Sequence, residues 1–504
     1  MAVTFISRLF GLVRMQLIAW LLGATRLGDV WTLSFMIPNL FRRLIGEGAM
    51  SSAFVPILSE LTEKEQEQAT REFMRNIFSL ILLASTLIVS LMILILPWIL
   101  PELIGLMRAG ATSADPEHYA RIVLPTRIMF PYLIFISLAA ICQGVLNVQN
   151  RFALSAATPI LLNICIISFG FLMRDWMEYP LWGLCTGVLI GGFLQFFVQW
   201  VHLYRLGFRL TPVFRFWNKR TREAFQLWLP STFSAGVTQI NALVSSMVAF
   251  NLIAGGAMAV ETSTRLMELI LGVFAVALST SLLPALSRQR ARNDLAAMSD
   301  SLFNAMGVMA LITIPAAMGL MLAGPSIINV LFKRGAFDMR SLELTYVALI
   351  FHAMALIPIA WYRIVVQIFY AHKQVKLAMK IAIAGATINI LGCFLWPRIF
   401  PAEIRHCGVA LATLCSSWSL LLISIIFASR RFQCLWPKRF THDLLKILLA
   451  ALAFIMLWSG DPLHLLSIPM LAIKIAGSIA IYGALTWLLK VEALRSLISR
   501  KKTP

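Results

Sequence analysis

Three clusters of ionisable residues interrupt otherwise apolar stretches of this 504-residue chain. The first is Arg8 and Arg14 in "ISRLFGLVRMQLIAWLLG". The second is Asn39, Arg42, Arg43 and Glu47 in "PNLFRRLIGEGAMSSAFVP". The third is Glu261, Arg265 and Glu268 in "ETSTRLMELILG". A charge at bilayer depth costs at least about 2.5–3.5 kcal/mol, so buried arginines call for a purpose. Guanidinium stays charged and presents a planar fork of donors that fits phosphate oxygens in pairs. The chemistry this points to is capture of an anion, a phosphate or diphosphate. A cation exporter would need carboxylates in their place.

Helical spacing refines the picture. Glu261, Arg265 and Glu268 follow i, i+4, i+7 and share one stripe. Asn39 and Arg42 are three apart, Arg43 and Glu47 four apart. Adjacent arginines point about 100° from one another, so Arg42 and Arg43 cannot both face one partner squarely. We assign Arg42 and Asn39 to a cavity and pair Arg43 with Glu47; spacing leaves open which arginine meets the cargo. Arg8 is close enough to the start of its span to snorkel to the surface. Arg14 is deeper, and Arg42 and Arg265 lack enough acidic neighbours to be fully neutralised. Pro38 is expected to break or kink its span, which is tolerated where freed backbone groups line water.

The elements that must position these groups are membrane spans. Hydrophobic residues make up 59% of the chain and charged residues only 13%, with mean hydropathy +0.82, about half the charged fraction of a soluble protein. We count about fourteen spans, near 3–23, 30–57, 76–100, 121–148, 154–173, 180–203, 225–254, 259–286, 304–331, 343–371, 375–396, 407–428, 443–459 and 466–489. The loops after even-numbered spans hold roughly 25 Lys and Arg against fewer than ten opposite, which places them and both termini in the cytoplasm. The same rule accounts for the net charge of +20 without nucleic acid. The seven cysteines are scattered, form no CxxC pair, and read as packing residues. The N-terminal stretch does not read as a signal peptide, because arginines interrupt it and no A-x-A site closes it.

The chain also repeats. "SSAFVPILSEL" at 51–61 echoes "STSLLPALSRQ" at 279–289, matching Pro56 with Pro284. Phe78 corresponds to Phe303, and Gln143 and Asn163 to Gln367 and Asn389, all at offsets of about 225 residues. The expected fold is an all-α polytopic membrane protein with two parallel six-helix repeats and two extra C-terminal helices. Its parts are 1–204, 223–430, 440–490 and a basic cytoplasmic tail, 491–504. Repeats of this kind build a cavity and give alternating access by rocking. Spans 2 and 8 are equivalent, so their charged faces can meet at the repeat interface.

An enzyme fits poorly, since HExxH, GxSxG, Walker A and paired loop carboxylates are all missing. A membrane transferase acting on lipid diphosphates is the strongest catalytic alternative. No metal ligand set or cofactor is expected. Coupling to the membrane potential or to a monovalent cation is compatible with the sequence.

The stretches "SRLFGLVRMQLIA", "PNLFRRLIGEGAMSSAFVPIL", "FPYLIFISLAAICQGVLNVQNRFALSAATPILLN", "TRLMELILGVFAVALSTSLLPALS" and "LFKRGAFD" resemble the MurJ (MviN) family, the lipid II flippases of bacterial peptidoglycan synthesis. That family belongs to the superfamily of MATE exporters and polysaccharide flippases. The resemblance implies that undecaprenyl-diphosphate-linked disaccharide-pentapeptide is moved across the bacterial inner membrane. It implies that Arg8, Arg14, Arg42 and Arg265, with Asn39, clamp the diphosphate. Asp29, Arg43, Glu47, Glu261 and Glu268 would form the cavity and its gate. The last two helices would form a groove for the polyprenyl tail. Bilayer lipids and the cell-wall synthesis machinery are the other expected partners, and a monomer is expected. Three positions depart from the family pattern: Met15 for an acidic residue, Met36 for a basic one, and Thr264 for an acidic one. Glu261, three residues earlier, can compensate for Thr264. Flippases for O-antigen or capsule units and MATE-type antiporters are the alternative transporters.

Overall fold

The computed structural model describes residues 2–45, 49–64, 66–107, 116–176, 180–432, 437–458 and 466–499. The described residues form α-helices and two short 3-10 turns, with no strand among them. The helices fall into two compact units, Met1–Ala257 with Arg334–Phe337, and Met258–Lys333 with Asp338–Pro504.

The first unit holds α1 (Ala2–Leu22), α2 (Arg26–Ile45), α3 (Ala49–Glu63), α4 (Glu67–Leu106), α5 (Pro116–Met129), α6 (Tyr132–Val148), α7 (Phe152–Leu172), α8 (Leu181–Arg205) and α9 (Lys219–Leu252). The second holds α10 (Gly256–Ala291), which starts at the boundary, then α11 (Leu295–Leu322), α12 (Gly324–Phe332), α13 (Met339–Ala371), α14 (Val375–Leu395), α15 (Cys407–Phe432), α16 (Lys438–Leu457), α17 (Ile468–Leu488) and α18 (Glu492–Ser499). Every expected span falls on a helix or on two consecutive ones. Among the described residues eight helices (α4, α7, α8, α11, α13, α14, α15 and α17) are long and apolar enough to cross a membrane. The pair α5–α6, bent by 41°, makes a ninth crossing if taken as one span. The bend falls at Pro131, which lacks the N–H that would carry the ladder through.

Pro38 behaves otherwise. It lies inside α2, which continues as helix to Ile45, so the expected break does not occur there. Helix α10 runs through 36 residues with Pro284 inside it.

Packing in the first unit depends on close approach. Gly183, Gly187 and Gly191 repeat every four residues on the face of α8 toward α7. A Cβ at Gly187 would lie 2.7 Å from the Ile166 Cα and 2.8 Å from the Cys165 carbonyl oxygen, so only glycine admits this spacing. The Gln199 amide of α8 donates to the Thr158 hydroxyl of α7 at 3.2 Å. At the end of α1, Gly23 has φ +58° and lies against the Ala336 carbonyl, while the Ala336 N–H donates to Trp20 O at 2.8 Å. That contact is why Arg334–Phe337 belongs to this unit. Helix α9, which opens the second sequence repeat, packs on α2, α3 and α4.

In the second unit α11, α13 and α15 form the centre, with Met306, Leu356, Ile364 and Leu421 in one buried cluster. Trp361 Nε1 donates to Met306 O at 3.1 Å, fixing α13 against α11. The two terminal spans belong here. Helix α16 packs on α11 and α17, and the Tyr482 hydroxyl of α17 donates to Leu311 O at 2.9 Å. The Asp443 carboxylate accepts the N–H groups of Glu492 and Ala493 at 3.1 and 3.0 Å, capping the start of α18.

Candidate functional site

In the first unit the charged residues are carried by α1 and α2. Arg8 is exposed and Arg14 half-buried, its guanidinium carbon 5.9 Å from the centre of the Phe35 ring of α2. That distance suits a cation over an aromatic face. On α2, Arg42 Nε donates to Asn39 Oδ1 at 2.7 Å, as their three-residue spacing requires. Arg43 turns the other way. Its Nη1 donates to Gln239 Oε1 of α9 at 3.0 Å, and the Thr232 hydroxyl of α9 reaches Leu44 O at 3.2 Å. The two arginines thus leave the helix toward different partners, the divergence expected of adjacent residues. Glu47, expected to pair with Arg43, lies outside the described residues.

Asp29 is fully buried, and its Oδ2 accepts the Gly255 N–H at 2.7 Å. Beside it, Arg26 Nη1 donates to Phe250 O at 2.6 Å, with its guanidinium 5.4 Å from the Phe250 ring centre. These bonds strap the start of α2 to the end of α9. Gly255, at φ +84°, leaves no room for a side chain because a Cβ would lie 1.9 Å from Ala24 O.

In the second unit the i, i+4, i+7 stripe of α10 is realised as an ionic triad. Arg265 Nε donates to Glu261 Oε1 at 2.8 Å and Nη1 donates to Glu268 Oε2 at 2.9 Å. This corrects the expectation that Arg265 lacks enough acidic neighbours, because two carboxylates hold it. Thr264 Oγ1 donates to Val260 O at 2.8 Å and lies 3.5 Å from His352 Nε2. Ser263 Oγ meets His352 Nδ1 at 2.8 Å, and both residues are buried between α10 and α13.

Sequence reasoning missed three participants. Arg363 of α13 is close enough to Glu268 to interact with it electrostatically. Its signal was present, a lone arginine within the apolar "AWYRIVVQ". Gln239 was visible in the same way as a polar residue inside a span. His352 had no partner identifiable by spacing, since Ser263 is 89 residues away. Among the described residues no three His, Cys, Asp or Glu side chains converge as a metal site would require.

A chain whose described residues are all helical, with eight helices apolar enough to cross a membrane and charged side chains set among them, is a polytopic membrane protein. Comparison with known proteins gives the family. The model for "Lipid II flippase MurJ" matches residues 18–471. A probable lipid II flippase MurJ of Rickettsia prowazekii is 29% identical over 97% of this chain and 96% of its own length. One from Treponema pallidum is 32% identical over 91% and 86%. Among solved structures, a lipid II flippase MurJ in an inward closed conformation superposes with TM-score 0.79 at 27% identity, covering 99% of both chains. An inward-facing MATE family transporter of the MOP superfamily superposes with TM-score 0.63 at 14% identity, over 84% of this chain and 94% of that one, a likeness of fold alone. The chain belongs to the lipid II flippase MurJ family, and it is a multi-pass membrane protein.

Proposed function

We propose that the chain flips lipid II, the undecaprenyl-diphosphate-linked disaccharide-pentapeptide, from the inner to the outer leaflet of the bacterial cytoplasmic membrane. Alternating access through an arginine-lined cavity is the proposed route, with six-helix repeats at 1–204 and 223–430 and both termini in the cytoplasm. Membership of the family supports the cargo. The observation that carries the site is the Arg42–Asn39 pair, in which an amide oxygen orients a half-buried guanidinium.

Arg8, Arg14 and Arg42 would take the diphosphate through paired N–H donors. Arg265 would join them in competition with Glu261 and Glu268, which already engage two of its donors. Asp29, Arg43, Glu47, Glu261 and Glu268 would form the gate. Outward movement of an anion is favoured by an inside-negative potential at about 2.3 kcal/mol per charge per 100 mV, which supplies a drive without an ion gradient. The test is Arg42→Ala in a flippase-depleted strain, with lipid II accessibility measured on the outer leaflet. We expect an inserted, folded protein that neither supports growth nor translocates lipid II. Normal growth and translocation would show the clamp to be wrong.

A further inference from the structure

We propose that a cleft between the first turns of α4 and the segment 213–218 is a phosphate-binding site on the face that carries the basic loops. The cleft has a volume of about 630 Å³. It lies entirely within the first unit and away from the charged residues of α1 and α2, so the inference does not rest on the cargo assignment.

Its construction starts from a stripe on α4. Gln68, Glu72 and Asn76 follow one another at four-residue intervals, with Arg71 and Arg75 alongside. The connecting segment is stapled over this stripe at two points. The Val213 N–H donates to Ser79 Oγ at 2.7 Å, and Asn218 Nδ2 donates to Glu72 Oε1 at 3.2 Å. Between the staples the chain stands away from α4, and Arg215 lines the opening.

Three features select an anion. Arg71, Arg75 and Arg215 outnumber the two carboxylates, and both carboxylates are occupied, Glu67 by Arg71 at 3.4 Å and Glu72 by Asn218. The first turn of α4 adds the partial positive charge of a helix start, and its N-cap Gln66 supplies no side-chain cap. Asn76 lines the cleft at 2% exposure, and its Nδ2 donor has no partner. Such an orphan is uncommon in a folded protein, and a bound oxygen would satisfy it. Arginine forks, an amide donor and a helix N-terminus together are the elements of a phosphate site. Phe214 is fully exposed and Trp217 54% exposed on the same segment, the disposition of aromatic residues at a membrane–water interface. The phosphate can therefore arrive as a phospholipid headgroup or as the free ion.

Two binding arms separate these sources, using the full-length chain in detergent. Native mass spectrometry titrates phosphatidylglycerol against phosphatidylcholine, and calorimetry titrates inorganic phosphate. The variants are Arg75→Gln with Arg215→Gln, both at exposed positions, and Asn76→Leu. A headgroup site gives at least about tenfold preference for phosphatidylglycerol, lost in the arginine double variant. A free-ion site gives saturable binding of inorganic phosphate, lost in the same variant. The proposal is overturned if the folded arginine double variant binds both probes as the unaltered chain does, or if neither probe binds.

Discussion

Glu261→Gln tests whether the ionic triad of α10 matters to transport. The carboxylate accepts from Arg265 Nε at 2.8 Å along the favourable acid-before-base direction of a helix. Two unit charges about 4 Å apart interact by about 4 kcal/mol at an effective dielectric near 20. Both side chains keep part of their surface open, at 36% and 26%, so screening and competing water reduce this to about 1–2 kcal/mol. Glutamine preserves shape and an acceptor, which isolates the charge. In the variant Arg265 keeps Glu268, but Glu268 is also within electrostatic reach of Arg363. Two guanidiniums would then share one carboxylate. The expected result is a five- to thirtyfold fall in lipid II translocation, at about 1.4 kcal/mol per tenfold, with insertion unchanged. Growth complementation reports the fall in cells, and outer-leaflet lipid II accessibility reports it directly. Glu268→Gln serves as the comparison, because it leaves the Glu261–Arg265 pair intact. Wild-type growth and translocation by Glu261→Gln would refute the reasoning.

Two further predictions concern the scaffold. Gly187→Val should force α7 and α8 apart at Ile166 and Cys165, lowering stability by about 1–3 kcal/mol, read as a reduced thermal midpoint in detergent; an unchanged midpoint would contradict the packing. Asp338 caps α13 by accepting the Ser341 N–H at 2.8 Å, so Asp338→Ala should cost about 1 kcal/mol. That hydrogen bond holds the Asp338 carboxyl below its ordinary value of 3.8. A depressed value in the folded chain means the cap contributes fully above the unfolded value and is lost as pH falls through the folded one. The unaltered chain should therefore lose this increment below about pH 4 while the alanine variant does not, as thermal midpoints at pH 6 and pH 3 will show.

Much of the fold was legible because a bilayer imposes a simple rule: apolar runs of about twenty residues become helices. The positions of the spans follow from that rule. Local spacing also carried the stripe at Glu261, Arg265 and Glu268, since all its contacts lie within two turns of one helix. What failed were contacts between distant segments. The bond of Arg43 to Gln239, 196 residues away, could not be read from spacing. The packing of α9 on α2 and α3 was hidden for the same reason, because a repeat in sequence does not state which helices touch. Arg363 was missed because its interaction with Glu268 requires knowing that α13 lies near α10.

The two units hold their arginines in different ways, and the difference bears on mechanism. In the first, Arg42 and Arg43 bond to the amide oxygens of Asn39 and Gln239, which fix the direction of each guanidinium. In the second, Arg265 is bonded to two carboxylates. On the proposed clamp, a diphosphate drawn to Arg265 would compete with two carboxylates already bonded there. The exchange is close to neutral in energy, because one charge-assisted pair replaces another. A near-neutral exchange makes a poor anchor and a good switch, since a small differential interaction decides which partner holds the arginine. Binding strength should therefore track the arginines of α1 and α2, and completion of the cycle should track the triad of α10. Arg42→Ala and Glu261→Gln should separate accordingly, the first removing lipid II retention and the second leaving retention intact while slowing its appearance on the outer leaflet.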